Sequence, residues 1–157
     1  MKDIELFLKK VLKKKLAIIG VGSELRGDDG IGPYLSEKLS QFNGENFLSI
    51  NGDLVPENFT QDLRMFKPEE VILIDAAFME KSPGEIDIIE VNKLSGVSFS
   101  SHSMPLSVLG RYLSKEIGAS IHILGIQAAN VDFGNDISPK VKDAADRIFE
   151  IIKKEMD

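Results

Sequence analysis

The sequence has no cysteine, only two histidines, and no apolar run approaching the ~20 residues that a membrane-spanning helix needs. Without cysteine there is no disulfide framework, no thiolate metal site and no cysteine nucleophile, and a reducing, cytoplasmic location is expected. An excess of positive charge is also missing. Against 25 Asp and Glu stand 19 Lys and Arg, for a formal net charge of -6. General nucleic-acid binding needs a basic footprint and is excluded on that ground. The opening stretch MKDIELFLKKVLKKK is no signal peptide, because acids and lysines interrupt its apolar positions. Neither an H-E-x-x-H helix nor a G-x-S-x-G elbow occurs, so two common hydrolase arrangements have no support. Internal repeats, low-complexity segments and linkers are absent as well.

What is present fits one α/β domain. The 157 residues, 43% of them hydrophobic, suffice for a substantial core. The chain is organised around residues 16–32, LAIIGVGSELRGDDGIG: a short apolar run, a glycine-rich turn and the start of a helical pattern that continues to about Leu39. The turn carries two adjacent carboxylates, Asp28 and Asp29. Adjacent carboxylates repel, and each favours water or a cation. Open α/β sheets bind ligands at the carboxyl ends of their strands, so a metal ion held by one or both acids is the central expectation. The other reading is a tight solvated turn in which one of them caps the helix. A dinucleotide fingerprint fits poorly, since Leu25 stands where G-x-G-x-x-G needs glycine.

The rest of the chain supplies the scaffold and two further candidates. Ile4, Leu6, Phe7, Val11 and Leu12 have helical spacing, which gives residues 1–15 an additional amphipathic helix whose lysines form a solvated face. FLSI at 47–50 is a second strand ending in the turn signal Asn51-Gly52-Asp53; as a lone acid, Asp53 reads as a turn or cap residue. A helix-like stretch follows from Pro56 to about Phe66. The unbroken run VILI at 71–74 has the character of a strand covered on both faces and ends at Asp75. After Ser82-Pro83-Gly84, the alternating EIDIIEV at 85–91 predicts an edge strand entered through a hairpin-like reversal and running antiparallel. Residues 95–105 form a loop containing His102, ahead of a helix from about Pro105, where the helix dipole favours the neutral, metal-binding imidazole. The last strand, at 121–126, contains His122, read as structural. Ser138 and Pro139 predict the N-cap and first position of a final helix.

The order of elements predicts a three-layer α/β/α sandwich with a mainly parallel five-stranded sheet and one antiparallel edge strand. Right-handed crossovers put parallel strand ends on one edge, so Asp29 and Asp75 can converge there. With His102 they make a nitrogen-and-oxygen set suited to a divalent transition metal. A receiver-like phosphoacceptor, or a non-catalytic metal-binding α/β module, shares part of this layout. The receiver also expects a lysine after the last strand, where this chain has Gln127-Ala128-Ala129-Asn130.

GVGSELRGDDGIGP, VILIDAA and SSHSMPLSVL together resemble the three motifs of the nickel-iron hydrogenase maturation endopeptidases, with Ser23 where the family usually has Asn. PGEIDIIE, LGIQ and NGDLVPENF are most similar to the formate-hydrogenlyase and energy-converting branch. The resemblance extends from residue 16 to the final helix and implies a single maturation-protease-like domain. It implies removal of a C-terminal extension from the hydrogenase large-subunit precursor after nickel insertion. Asp29, Asp75 and His102 match the family's metal-binding positions, and Asp28 matches an acid that steers or braces them. Nickel is then carried by the precursor, other divalent metals being able to substitute. The catalytic set is Asp28, Asp29, Asp75 and His102, and a monomer is expected. Two routes stay open: nickel as the recognition element beside acid-assisted hydrolysis, or a metal that polarises the scissile carbonyl or a bound water, with Asp28 or Asp29 as base.

Overall fold

The computed structural model describes residues 1–91, 98–99 and 105–157. Their elements are α1 (Lys2–Val11), β1 (Leu16–Gly20), α2 (Ile31–Leu39), β2 (Phe47–Asn51), α3 (Thr60–Phe66), β3 (Glu70–Phe78), β4 (Ile86–Glu90), β5 (Ser98–Phe99), α4 (Leu106–Ile117), β6 (Ser120–Gln127) and α5 (Pro139–Met156). The apolar runs of β1, β3 and β6 are buried along nearly their whole length, as strands covered on both faces must be. The sheet order is β2-β1-β3-β6-β4, all parallel except β4, which pairs antiparallel with β6 at the edge. The short β5 adds antiparallel to the far end of β3. This is the mainly parallel α/β/α sandwich expected, with its antiparallel edge strand.

Alternation along each strand divides the core in two. Ile18, Ile72, Ile74 and Leu124 point to one face, packed with α1, α2 and α5. Ile19, Leu73, Ile121 and Ile123 point to the other, packed with Leu63 of α3 and with Leu106, Leu109 and Leu113 of α4. What positions the site is the connectivity. From β1 the chain leaves through α2 to β2 on one side; from β3 it reaches β6, on the opposite side, through α4 on the opposite face. The carboxyl ends of β1 and β3 therefore flank the topological switch point of the sheet, where a crevice opens.

Glycine lets the helix approach that crevice. A Cβ on Gly20 would lie 2.1 Å from the Gly32 carbonyl oxygen, and one on Gly32 2.5 Å and 2.6 Å from the carbonyl oxygens of Val21 and Ile74. The start of α2 thus rests on the ends of β1 and β3, at a distance only glycine permits.

Two expectations are corrected. β3 does not stop at Asp75 but runs on to Phe78, because β6 continues beside it. β3 and β4 form no hairpin: β6 is inserted between them, and the Pro83-Gly84 turn serves only to reverse the chain. Ser138 and Pro139 stand at the N-cap and first position of α5 as expected, although the Ser138 hydroxyl donates to Asp28 Oδ2 instead of capping the helix.

Candidate active site

Strand β1 pairs with β3 as far as Gly20 opposite Ile74, and the Val21 N–H donates to the Ile74 carbonyl at 2.8 Å. Asp75 is the next residue of β3, beyond the end of β1 and opposite Gly125 of β6. It is completely buried. By alternation with Val71 and Leu73 its side chain belongs to the face that α4 covers. His102, four positions ahead of Leu106 at the start of α4, lies outside the described residues, as does most of the 95–105 loop.

After β1 the chain turns through residues 21–26 into a short 3₁₀ helix, Gly27–Gly30, that contains both acids and touches β3. Both are completely buried. Their surroundings differ. The Asp28 carboxylate turns toward the segment after β6. Its Oδ2 accepts the Ala129 and Asn130 N–H groups at 2.8 and 2.9 Å and the Ser138 hydroxyl at 2.9 Å; its Oδ1 accepts the Ser138 N–H at 2.6 Å. A carboxylate offers about four lone-pair sites, and here four donors fill them. Asp29 turns back toward β1. Its Oδ2 accepts the Ser23 N–H at 3.1 Å, with the Arg26 guanidinium 3.9 Å away, and a Cβ on Gly22 would lie 3.0 Å from its Oδ1. Gly22, at φ +136°, leaves the space this carboxylate occupies. Of the two aspartates of the metal expectation, Asp75 therefore stands on β3 and Asp29 in the short 3₁₀ helix that follows β1 and touches β3, while Asp28 ties that helix to the segment after β6.

Arg26 is the residue that the sequence reading missed. It is half-buried and three positions before Asp29. Its signal was present, since it is the one cation in residues 16–32. Asp53 is at the same edge in a turn role: its backbone is left-handed (φ 51°), its N–H donates to Asn51 Oδ1, and its carbonyl accepts the Gly22 N–H at 2.9 Å.

His122 is elsewhere. It pairs with Ile72, three residues before Asp75 on β3, and its ring lies between Glu70 and Glu90, with Nε2 3.1 Å from Glu70 and Phe7 packed edge-on at 4.9 Å. Gln127, in the place where a receiver carries lysine, uses its side-chain oxygen to accept the N–H groups of Met79 and Lys81. Among the described residues no three His, Asp or Glu side chains converge in a metal-binding group, so the two aspartates would need a donor from beyond that set. A surface cavity of about 790 Å³ between α1, the Pro83-Gly84 turn and α5 includes none of these acids. A smaller one of about 310 Å³ reaches the site at Gly30, between Glu24, Tyr34 and Ile137.

The fold and sequence as a whole are shared with known proteins. The HycI hydrogenase maturation protease family matches residues 33–155, and the chain belongs to that family: it is a hydrogenase maturation protease, a peptidase. A putative hydrogenase maturation protease of Methanocaldococcus jannaschii is 42% identical over 88% of this chain and 86% of its own length. The hydrogenase 3 maturation protease of Escherichia coli is 34% identical over 85% of each. The crystal structure of HycI, a [NiFe] hydrogenase maturation protease from Thermococcus kodakarensis, superposes with a TM-score of 0.85 at 28% identity, covering 96% of this chain and 98% of that one.

Proposed function

We propose that this peptidase removes the C-terminal extension of a nickel-iron hydrogenase large-subunit precursor after nickel insertion, and that Asp29, Asp75 and His102 recognise the nickel the precursor carries. The observation that carries the reading is the placement of Asp29 and Asp75. Both are buried at the carboxyl edge of the sheet, Asp75 on β3 and Asp29 in the turn that follows β1, the two strands that flank the switch point. Carboxylate oxygens with one imidazole nitrogen suit a divalent ion such as nickel, and the absence of cysteine leaves thiolate ligation to the precursor. His102 completes the set by its place ahead of α4, the helix on the face to which Asp75 belongs.

The division of labour follows from the hydrogen bonds. Asp28, with four donors of its own, is a positioning residue: it fixes the acid-bearing turn against residues 128–138. Asp29 and Asp75 are assigned to the substrate-borne ion, and, with Asp28 already holding four donors, the role of base toward the attacking water is assigned to Asp29. Binding the nickel-bearing end of the precursor then orients the scissile bond, which converts hydrolysis into a step within one complex. Arg26, beside Asp29, offsets negative charge in a site with three buried acids.

Incubation with nickel-loaded and nickel-free precursor tests the reading. Loss of the extension from the loaded form only is the expected result. An intact loaded precursor, or equal cleavage of both forms, would count against it. A phosphoacceptor would instead be labelled at Asp75 by acetyl phosphate and magnesium, and no label is expected.

A further inference from the structure

The loops that hold the acids are stitched together, yet they present large apolar side chains to water. The Gly134 N–H donates to the Leu25 carbonyl at 2.8 Å, the Asp28 N–H to the Asn130 carbonyl at 2.8 Å, and the Gly27 N–H to the Asn135 carbonyl at 3.1 Å. The Asp28 carboxylate adds its bonds to Ala129, Asn130 and Ser138. Within this lattice Leu25 is 64% exposed, and Phe133, next to Gly134, is 77% exposed. Neither is needed by the core. A backbone so fixed has little left to lose on binding, which is the condition under which an aromatic anchor contributes most. Around Leu25 and Phe133 the exposed charges are acidic, Glu24, Asp53, Asp132 and Asp136, with half-buried Arg26 among them; the exposed Lys81 and Lys140 stand farther along the chain, after β3 and at the start of α5.

We propose that Leu25 and Phe133 are docking anchors for the large-subunit precursor, entering an apolar recess on that protein flanked by lysine or arginine side chains. The assignment rests on the reading of the precursor as substrate. Continuity identifies this occupant: Leu25 is three residues from Asp28, in the turn that carries Asp29, so a protein delivering its end to the acids passes over this surface. Charge complementarity supplies the basic rim.

Full-length enzyme carrying Leu25→Ser with Phe133→Ser tests this against nickel-loaded precursor. KM should rise about tenfold or more with kcat changed less than about twofold, while the melting temperature holds and Phe133→Trp keeps a near-normal KM. Calorimetric Kd for the same precursor should weaken in parallel, and in the wild type should weaken further between roughly 0.05 and 0.5 M salt. Unchanged KM and Kd in the double variant would overturn the anchors, and a salt-independent Kd would overturn the basic rim. A double variant that loses only self-association would make the patch a contact between copies and overturn docking. If the wild type binds the precursor without cutting it, the proposed activity fails, and the ratio of the two Kd values still decides the anchors. If it binds no precursor, both fall.

Discussion

Asp28 and Asp29 are neighbours in sequence with different surroundings, and single substitutions should separate their effects. Asp28→Ala strips the acceptor from three backbone N–H groups and a hydroxyl. These donors are only partly buried, so water can replace some of the lost bonds; a loss of about 1–3 kcal/mol is expected, and urea denaturation should show it before any assay of processing. Asp29→Asn and Asp75→Asn keep the volume and remove the charge. For these, processing should fall by about 100-fold or more while the midpoint of unfolding moves little, as gel assays of precursor cleavage alongside calorimetry would show. A processing rate near that of the wild type in Asp29→Asn would remove it from the reaction.

At the scale of elements, close approach and edge protection decide the outcome. Gly32→Ala places a methyl within 2.6 Å of the carbonyl oxygens of Val21 and Ile74, both backbone atoms that cannot turn aside. The α2 start must then lift from β1 and β3, and a loss of about 2–3 kcal/mol or more is expected on thermal unfolding, together with loss of processing, since the acid-bearing turn precedes that helix. β2 is the outer strand beyond β1, and its exposed side is blunted: Asn43 accepts the Ser49 N–H at 2.7 Å and donates to the Ser49 carbonyl at 3.3 Å. Asn43→Ala should cost about 1 kcal/mol and expose a pairing edge, seen as concentration-dependent sedimentation that the parent chain lacks.

For the whole molecule, a polar cluster ties α2 to α5 across the first core. Asp146 accepts from the Tyr34 hydroxyl at 2.7 Å and from Lys38 Nζ at 3.0 Å. Desolvation pushes the Asp146 carboxyl up, but the hydrogen bonds from Tyr34 and Lys38 and the charges of Lys38 and Lys142 outweigh it and hold it below its ordinary 3.8. A depressed carboxyl stabilises the fold above its unfolded value, and that contribution disappears as pH falls through the folded one. Acid unfolding below pH 3.8 should therefore be steeper for the parent chain than for Asp146→Asn, as followed by circular dichroism. Because the cluster is more than a third exposed at Asp146, solvent screening keeps the difference small.

The sequence by itself determined the elements and the identity of the acids. Uninterrupted apolar runs announced the buried strands, alternation announced the edge strand β4, and the glycine-rich turn marked the place where a helix would close on the sheet. These are local signals, because side-chain periodicity and backbone freedom are properties of short segments. Only the tertiary structure decided that β6 runs alongside β3 past Asp75, that Ser138 binds Asp28 rather than its own helix, and that Arg26 stands beside Asp29. Each depends on a partner far away along the chain or on which way a side chain turns within a folded loop. Spacing holds no record of either, since both are fixed by hydrogen bonds made only when the two loops meet.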